Sequence, residues 1–487
     1  MESTGLEKTN MSKVVLLLFI TIILLLPLSL IPDESKVAGV EIKKVDILSD
    51  LKAPKVENNE NEYEYKYEYD FDSEDSKDDE SFLLIQRANV LKAGPGFLEI
   101  FDWFDNTVRD AVAFSPKVDT KIVPIQGNVD QMKHFFKALR NVKRDQVRIA
   151  HFGDSIIGGD LISMDLRQNL QKVFGGSAVG LMRVTSDDIK YRMTTKHTFS
   201  DTWKTVEYNR NIKKLPIGIA GEVSYPKSAA WVEYETTAHY PDLNGYRLVR
   251  IFYSDAKASN ITYSFDGGVS QTAKLEEGSD VKELVLTAPA LAKKVRIEFP
   301  VAKQAYFYGI SLENGPGIYV DNMSFKGQSG EKLQRIETDM AKQFNKYLDY
   351  DLVIFQFGLN VIDKISKDPK GYETEMVKMI EGFKSVLPNT SFLLVGVNDK
   401  GFKQGSKITT DPNVLTLLAV QQAITKKADI AFWNLFEAMG GKESMENWVK
   451  ANPPLASIDY THFNDQGAHL VSEMLSKALI DSFKENR

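Results

Sequence analysis

The 487-residue chain contains no cysteine. That excludes disulfides, thiolate zinc sites, cysteine nucleophiles and a bacterial lipoprotein anchor. Histidine is scarce at six residues, scattered without paired ligand spacing, so a metal site is not expected; no cofactor is expected either. A basic excess is missing as well: 60 Lys and Arg face 67 Asp and Glu, a formal charge of −7. The acidity is local. Glu57 to Glu80 holds 12 acidic and 2 basic residues, a balance of −10, which leaves the rest of the chain about +3. No basic face or stripe stands out, so nucleic acid is not an expected partner. Fixed-period repeats are also absent.

One long hydrophobic run is present. Val14 to Ile31 spans 18 residues without a charge, long enough to cross a bilayer and longer than the usual signal-peptide core. Lys8 and Lys13 precede it and Asp33 and Glu34 follow it, which favours a cytoplasmic N-terminus and a translocated remainder. The run reads as an uncleaved membrane anchor, with a cleaved signal as the alternative; Val37-Ala38-Gly39 is only a weak cleavage site. Residues 33–84 then read as an acidic, disordered spacer, because like charge and low hydrophobicity keep such a segment extended. The alternation from Glu62 to Tyr69 has strand period and could pair with another strand.

Beyond the spacer the pattern changes twice. Val129 to Val142 reads as a helix, Val147 to Phe152 as a buried strand, and Leu161 to Phe174 as the next helix. From about Gly180 to Asn314, strand-like runs recur with turn signals such as Asp266-Gly267-Gly268 between them, which suggests a β-sandwich. Strands and helices then alternate: Gly317 to Met323, Asp351 to Phe357, Ser391 to Val397 and Ile430 to Leu435 as strands, with helices over Glu331 to Leu348, Tyr372 to Leu387, Pro412 to Lys427 and Asp465 to Phe483. Such alternation predicts an α/β domain: a parallel sheet with helices on both faces.

Three segments carry chemistry. Gly153-Asp154-Ser155 follows the first buried strand, Gly358-Leu359-Asn360 follows the strand ending at Phe357, and Asp459-Tyr460-Thr461-His462 precedes the last helix. Each is bland alone: a serine after a strand caps helices, Asn and Gly serve turns, and a histidine can simply be solvated. A serine hydrolase needs a hydroxyl, an imidazole to take its proton, a carboxylate to orient the imidazole, and donors for an oxyanion. These segments supply all four, at strand ends or in loops where open parallel sheets form their sites. His151, beside the nucleophile strand, reads as packed or hydrogen-bonded, and Asp154 as a brace for the turn. Trp203, Trp231, Tyr234 and Tyr240 suit a sandwich core, with a sugar-stacking platform as the alternative.

The order Gly-Asp-Ser, Gly-x-Asn, Asp-x-x-His resembles that of the SGNH (GDSL) hydrolases. The resemblance implies a three-layer α/β/α, flavodoxin-like hydrolase domain with Ser155, Asp459 and His462 as catalytic triad. It further implies an oxyanion hole that includes Asn360 and a glycine N–H. Gly327 is the expected glycine, since it lies just past a predicted strand; Gly176 and Gly180 are rivals. A β-sandwich between the serine and glycine segments is similar to bacterial peptidoglycan O-acetylesterases, whose insert is carbohydrate-binding-module-like. The sequence departs at Ile156-Ile157-Gly158-Gly159, where substrate contacts are expected.

The expected organisation is therefore a cytoplasmic stub and transmembrane helix (1–32), the spacer (33–84), the first part of the hydrolase domain (85–180), the inserted β-sandwich (181–315) and the second part (316–487). The expected activity is hydrolysis of O-acetyl or other short acyl esters on peptidoglycan or another extracytoplasmic glycan by a membrane-anchored enzyme. The alternatives are a glycan O-acetyltransferase using the same triad, a lipid esterase, or a non-catalytic wall-binding protein.

Overall fold

Strand Gln146–Gly153 (β2) shows how the central layer is built. Its side chains alternate in direction with period two. Val147 and Ile149 enter one apolar cluster, while Ala150 and Phe152 enter another on the opposite face. The same holds for Gly317–Ser324 (β3), Leu352–Gln356 (β4), Ser391–Val395 (β5) and Ala431–Trp433 (β6). In this computed structural model, residues 118–486 are described apart from 187, 189, 190, 241 and 242, together with the backbone of Ser35–Val37 and Val40–Ile42.

The chain divides into two compact units, Met1–Leu98 and Glu99–Arg487. In the first, Ser35–Val37 pairs antiparallel with Val40–Ile42 inside the expected spacer. The apolar run Val14 to Ile31 lies outside the described residues. Among the described residues, no helix is long and apolar enough to cross a membrane.

In the second unit the central sheet has the order β3-β2-β4-β5-β6, with Gln126–Gly127 (β1) at the β6 edge. The first five strands run parallel, but β1 pairs antiparallel with β6. The sheet is thus mixed, which corrects the expected all-parallel arrangement; a two-residue strand leaves no sequence pattern. Helices Lys133–Asn141 (α1), Ser163–Phe174 (α2) and Asp465–Glu485 (α6) contribute Phe136, Leu170 and Leu475 to one face. Thr338–Leu348 (α3), Pro369–Val386 (α4) and Pro412–Ala428 (α5) contribute Phe344, Met379 and Leu417 to the other. The starts of α4 and α5 are encoded locally. Asp368 and Asp411 cap them, accepting from the Gly371 and Asn413 amides, with Pro next in sequence.

The expected helix Glu331 to Leu348 is broken. A 3₁₀ turn covers Glu331–Arg335, Ile336 and Glu337 are extended, and α3 begins at Thr338. Leu333, Ile336, Met340 and Phe344 are all buried in one cluster. These residues share helical spacing, but the core collects them from two separate pieces.

Between α2 and β3 the chain forms two antiparallel sheets. One orders Lys282–Ala292, Tyr246–Ser254, Tyr306–Glu313, Glu222–Pro226 and Trp203–Glu207, with Gly180–Met182 also on Tyr306–Glu313. The other orders Gln271–Leu275, Ser259–Phe265, Lys294–Phe299, Ala230–Thr236 and Thr195–Phe199. They share a core in which Val249, Ile251 and Phe307 of the first meet Val232, Ile297 and Phe299 of the second. Trp203 and Tyr234 are buried there, Trp231 lies under the Arg296 guanidinium, and Tyr240 donates to Asp165.

Candidate active site

The carboxyl ends of β2, β3 and β4 bring the site together. Past β2, Gly153 admits no side chain: a Cβ there would lie 2.8 Å from Ile157 Cδ1 and 2.9 Å from Gln356 O. Asp154 then caps a 3₁₀ turn, Ser155–Asp160, accepting from Ile156 N at 3.0 Å. Ser155 starts that turn. Its Oγ lies 2.9 Å from His462 Nε2, and His462 Nδ1 lies 2.7 Å from Asp459 Oδ2. Serine, histidine and aspartate, 307 positions apart at the first link, form one hydrogen-bonded chain. The side chains of His462 and Asp459 keep 25% and 29% of their exposure, so the chain is open to a substrate on one side.

Asp459 organises its own loop. Its Oδ1 accepts from Thr461 N at 2.9 Å and His462 N at 3.1 Å, leaving Oδ2 for the imidazole. Burial would raise this carboxyl, but the bonds from the His462 side chain and from the His462 and Thr461 amides outweigh it and hold the group below the usual range. An ionised Asp459 favours the Nδ1–H tautomer, which leaves Nε2 free to accept a proton.

Asn360 lies past the carboxyl end of β4, after Gly358, whose φ of +149° suits glycine. Its Nδ2 donates to Asp154 Oδ2 at 3.2 Å and to Gln328 O at 3.0 Å. Asn360 therefore ties the serine turn to the loop that carries Gly327. Gly327 has φ +71° and open space where a Cβ would stand. Both amide hydrogens of Asn360 are engaged, so an oxyanion would take one of them from Gln328 or Asp154. The rival glycines lie elsewhere. Gly176 packs on Gly317 and Ile318 at the amino end of β3, and Gly180 against Asp321 and Tyr319 within that strand.

Asp154 is fully buried beneath this cluster. Burial pushes it up to about 6, against the bonds from Ile156 N, Gly358 N and Asn360 and the nearby His462 charge. His151 is set apart from the serine: its Nε2 meets Gln356 Oε1 and its Nδ1 meets Ser163 Oγ, both at 2.9 Å. Burial pushes it down to about 4, which leaves it neutral at pH 7. Asn322 extends the network, donating to Ser163 Oγ and to Ile157 O at 2.8 Å each.

Sequence reasoning missed the supports beneath the histidine loop. Asn398 Nδ2 donates to Thr461 O at 3.1 Å, and Gly401 N to Tyr460 O at 2.7 Å. Both follow β5, and the rule that sites gather at the carboxyl ends of strands was the one signal available. Among the described residues, no group of three His, Asp or Glu could hold a metal ion.

No protein-family model matches the sequence, and no curated protein matches it at a significant level. Solved structures do. A peptidoglycan O-acetylesterase is 21% identical, covers 75% of this chain and all of its own, and superposes with a TM-score of 0.62. A family two carbohydrate esterase from Cellvibrio japonicus is 9% identical over 60% of this chain and all of its own, with a TM-score of 0.24. An acetyl xylan esterase is 17% identical over 33% of this chain and 80% of its own, with a TM-score of 0.27. The first shares the α/β fold of this chain; the other two superpose too loosely to carry an argument.

Proposed function

We propose that the protein is an SGNH-type serine esterase that removes O-acetyl or other short acyl groups from peptidoglycan or another glycan outside the cytoplasm. The observation that carries this reading is the hydrogen-bonded order Ser155, His462, Asp459 at the carboxyl ends of a three-layer α/β/α sheet. Ser155 Oγ attacks the ester carbonyl carbon as its proton passes to His462 Nε2. Asp459 steadies the imidazolium. The Ser155 and Gly327 N–H groups and the Asn360 amide hold the oxyanion. His462 returns the proton to the departing sugar oxygen, and water then cleaves the acyl-serine by the same route in reverse. The paired sheets between Gly180 and Glu313 are read as a carbohydrate-binding-module-like insert, and Val14 to Ile31 as the anchor that keeps the enzyme on the membrane.

The test is acetate release from O-acetylated peptidoglycan and acetylated polysaccharides by wild type and Ser155→Ala. Substitution of the nucleophile should cut turnover by about 10⁴-fold or more while leaving the melting temperature unchanged. Wild-type release rates in the variant would overturn the assignment of Ser155. Transfer of acetyl to an added glycan faster than to water would replace the esterase by an acyltransferase.

A further inference from the structure

The loop that carries Gly327 is held from two sides. The α/β layer fixes its ends: Phe325 N donates to Gly153 O at 2.8 Å, Ser324 Oγ to Asp154 O at 3.3 Å, and Asn360 Nδ2 to Gln328 O at 3.0 Å. Gln328 N closes the turn on Phe325 O at 3.1 Å, with Lys326 and Gly327 between them. Gly327, at φ +71°, has no side chain with which to fix its own place.

The antiparallel sheets and their loops supply the second side. Arg183 Nη2 donates to Ser324 O at 2.6 Å, and its guanidinium lies 5.4 Å from the centre of the Phe325 ring. Tyr208, only 4% exposed, meets the same ring edge-on at 5.5 Å and donates from Oη to Gln328 Oε1 at 3.3 Å. Phe325 in turn stacks on Phe152 of β2 at 6.2 Å, so the ring joins Tyr208 to the nucleophile strand. Gly221 makes room for this approach, since a Cβ there would stand 2.2 Å from Phe325 Cε1. Asp188 pairs with Lys326 and accepts from Gly159 N at 3.4 Å, so one carboxylate links the loop to the serine turn. Ser324, Phe325, Lys326 and Gln328 thus each have a partner between Arg183 and Tyr208, on both sides of Gly327. A module that served only to capture glycan would need a joint with the α/β layer, but not one gathered on this loop. An oxyanion donor acts through being in place before the charge forms, and these contacts hold the segment that carries one.

We propose that the antiparallel sheets are a functional part of the oxyanion hole: Arg183, Asp188 and Tyr208 are positioning residues that hold the Gly327 amide for the oxyanion formed at Ser155. The proposal rests on the esterase reading for the oxyanion itself.

Full-length protein is assayed on p-nitrophenyl acetate, an ester with no sugar for a glycan site to hold. Tyr208→Leu and Asp188→Asn should each lower kcat by about tenfold with KM within about twofold, because a misplaced donor is missed in the transition state. Tyr208→Phe, which keeps the ring on Phe325, should retain most of the wild-type kcat. Val249→Ala, in the core shared by the two antiparallel sheets, should lower the melting temperature and leave kcat unchanged, which separates loss of stability from loss of position. A trifluoromethyl ketone gives a second reading. Ser155 Oγ adds to its carbonyl carbon, the proton passes to His462, and the carbonyl oxygen is left as an oxyanion. Its inhibition constant should rise in Tyr208→Leu in step with the fall in kcat/KM. Asp188→Asn carries the comparison if Tyr208→Leu fails to fold. Wild-type kcat in both variants, or an equal loss of kcat in Val249→Ala at an equal loss of melting temperature, overturns the proposal alone. Turnover that does not depend on Ser155 overturns the esterase reading and this proposal with it.

Discussion

Asn360 gives one nitrogen two jobs, bonding Asp154 Oδ2 at 3.2 Å and Gln328 O at 3.0 Å. It is both the proposed oxyanion donor and the tie between the serine turn and the Gly327 loop. Asn360→Ala should lower kcat by about 10²–10³-fold with little change in KM, since the lost bond forms in the transition state. Steady-state kinetics on a soluble acetyl ester checks this; an effect confined to KM would make Asn360 a substrate-binding group only. Asp154, its partner, has a pH signature of its own. An unfolded aspartate titrates near 3.8, but burial raises Asp154 to about 6. Between those values the folded state holds more protons, so this group's contribution to stability falls as pH rises from about 4 to about 6 and is level above. Asp154→Asn removes the titration. The melting temperature of wild type minus that of the variant should therefore fall across that window and then flatten. A difference independent of pH would show that burial does not disfavour the charged carboxyl.

Strand ends, at the scale of elements, need holding as much as side chains do. Helix α5 does this with fully buried Gln421, whose Nε2 donates to Phe357 O and whose Oε1 accepts from Val397 N, each at 2.8 Å. Phe357 leads into Gly358 and Asn360, and Val397 into Asn398, so one helix residue fixes the exits of β4 and β5. Gln421→Leu leaves both backbone groups buried and unpaired, and should cost about 2–4 kcal/mol, measured by denaturant unfolding; a loss under about 0.5 kcal/mol would mean that the strand ends hold themselves. This division also explains what could be read in the sequence. Gly153-Asp154-Ser155, Gly358-Leu359-Asn360 and Asp459 to His462 are local strings, each next to a buried strand or a helix that the sequence itself marks. Gln421 and Asn398 act on backbone 64 and 63 positions away, and nothing near them in the chain marks that partner. The broken helix at Ile336 fails for the same reason: its spacing fits a helix, while the core decides otherwise.

A buried ion network joins the central sheet to the antiparallel sheets and governs the molecule as a whole. Arg148 on β2 is 1% exposed. It holds Asp321 on β3 through Nη1 at 2.9 and 3.1 Å, and Glu313 at the end of Tyr306–Glu313 through Nη2. Asp321 also accepts from Leu181 N at 2.8 Å and Tyr350 Oη at 2.9 Å, and Glu313 from Arg250 at 3.1 Å. Burial would raise Glu313, yet Arg148 and Arg250 outweigh it and hold the carboxyl near 2. No residue pattern announces this cluster, because its members come from four strands and meet only after the sheets have paired. Removing the central cation strands buried Asp321 and leaves Glu313 with Arg250 as its remaining cation, so Arg148→Met should cost about 3–5 kcal/mol. The α/β layer and the antiparallel sheets belong to one compact unit, Glu99–Arg487, and Leu181, Phe252 and Tyr308 of the sheets share a cluster with Phe152 and Phe355 of the central strands. Scanning calorimetry of the wild type should accordingly show one transition for this unit, moved several degrees lower in Arg148→Met. Two transitions in the wild type would refute the single unit, and two in the variant alone would show that Arg148, more than the shared apolar cluster, makes the layers melt together.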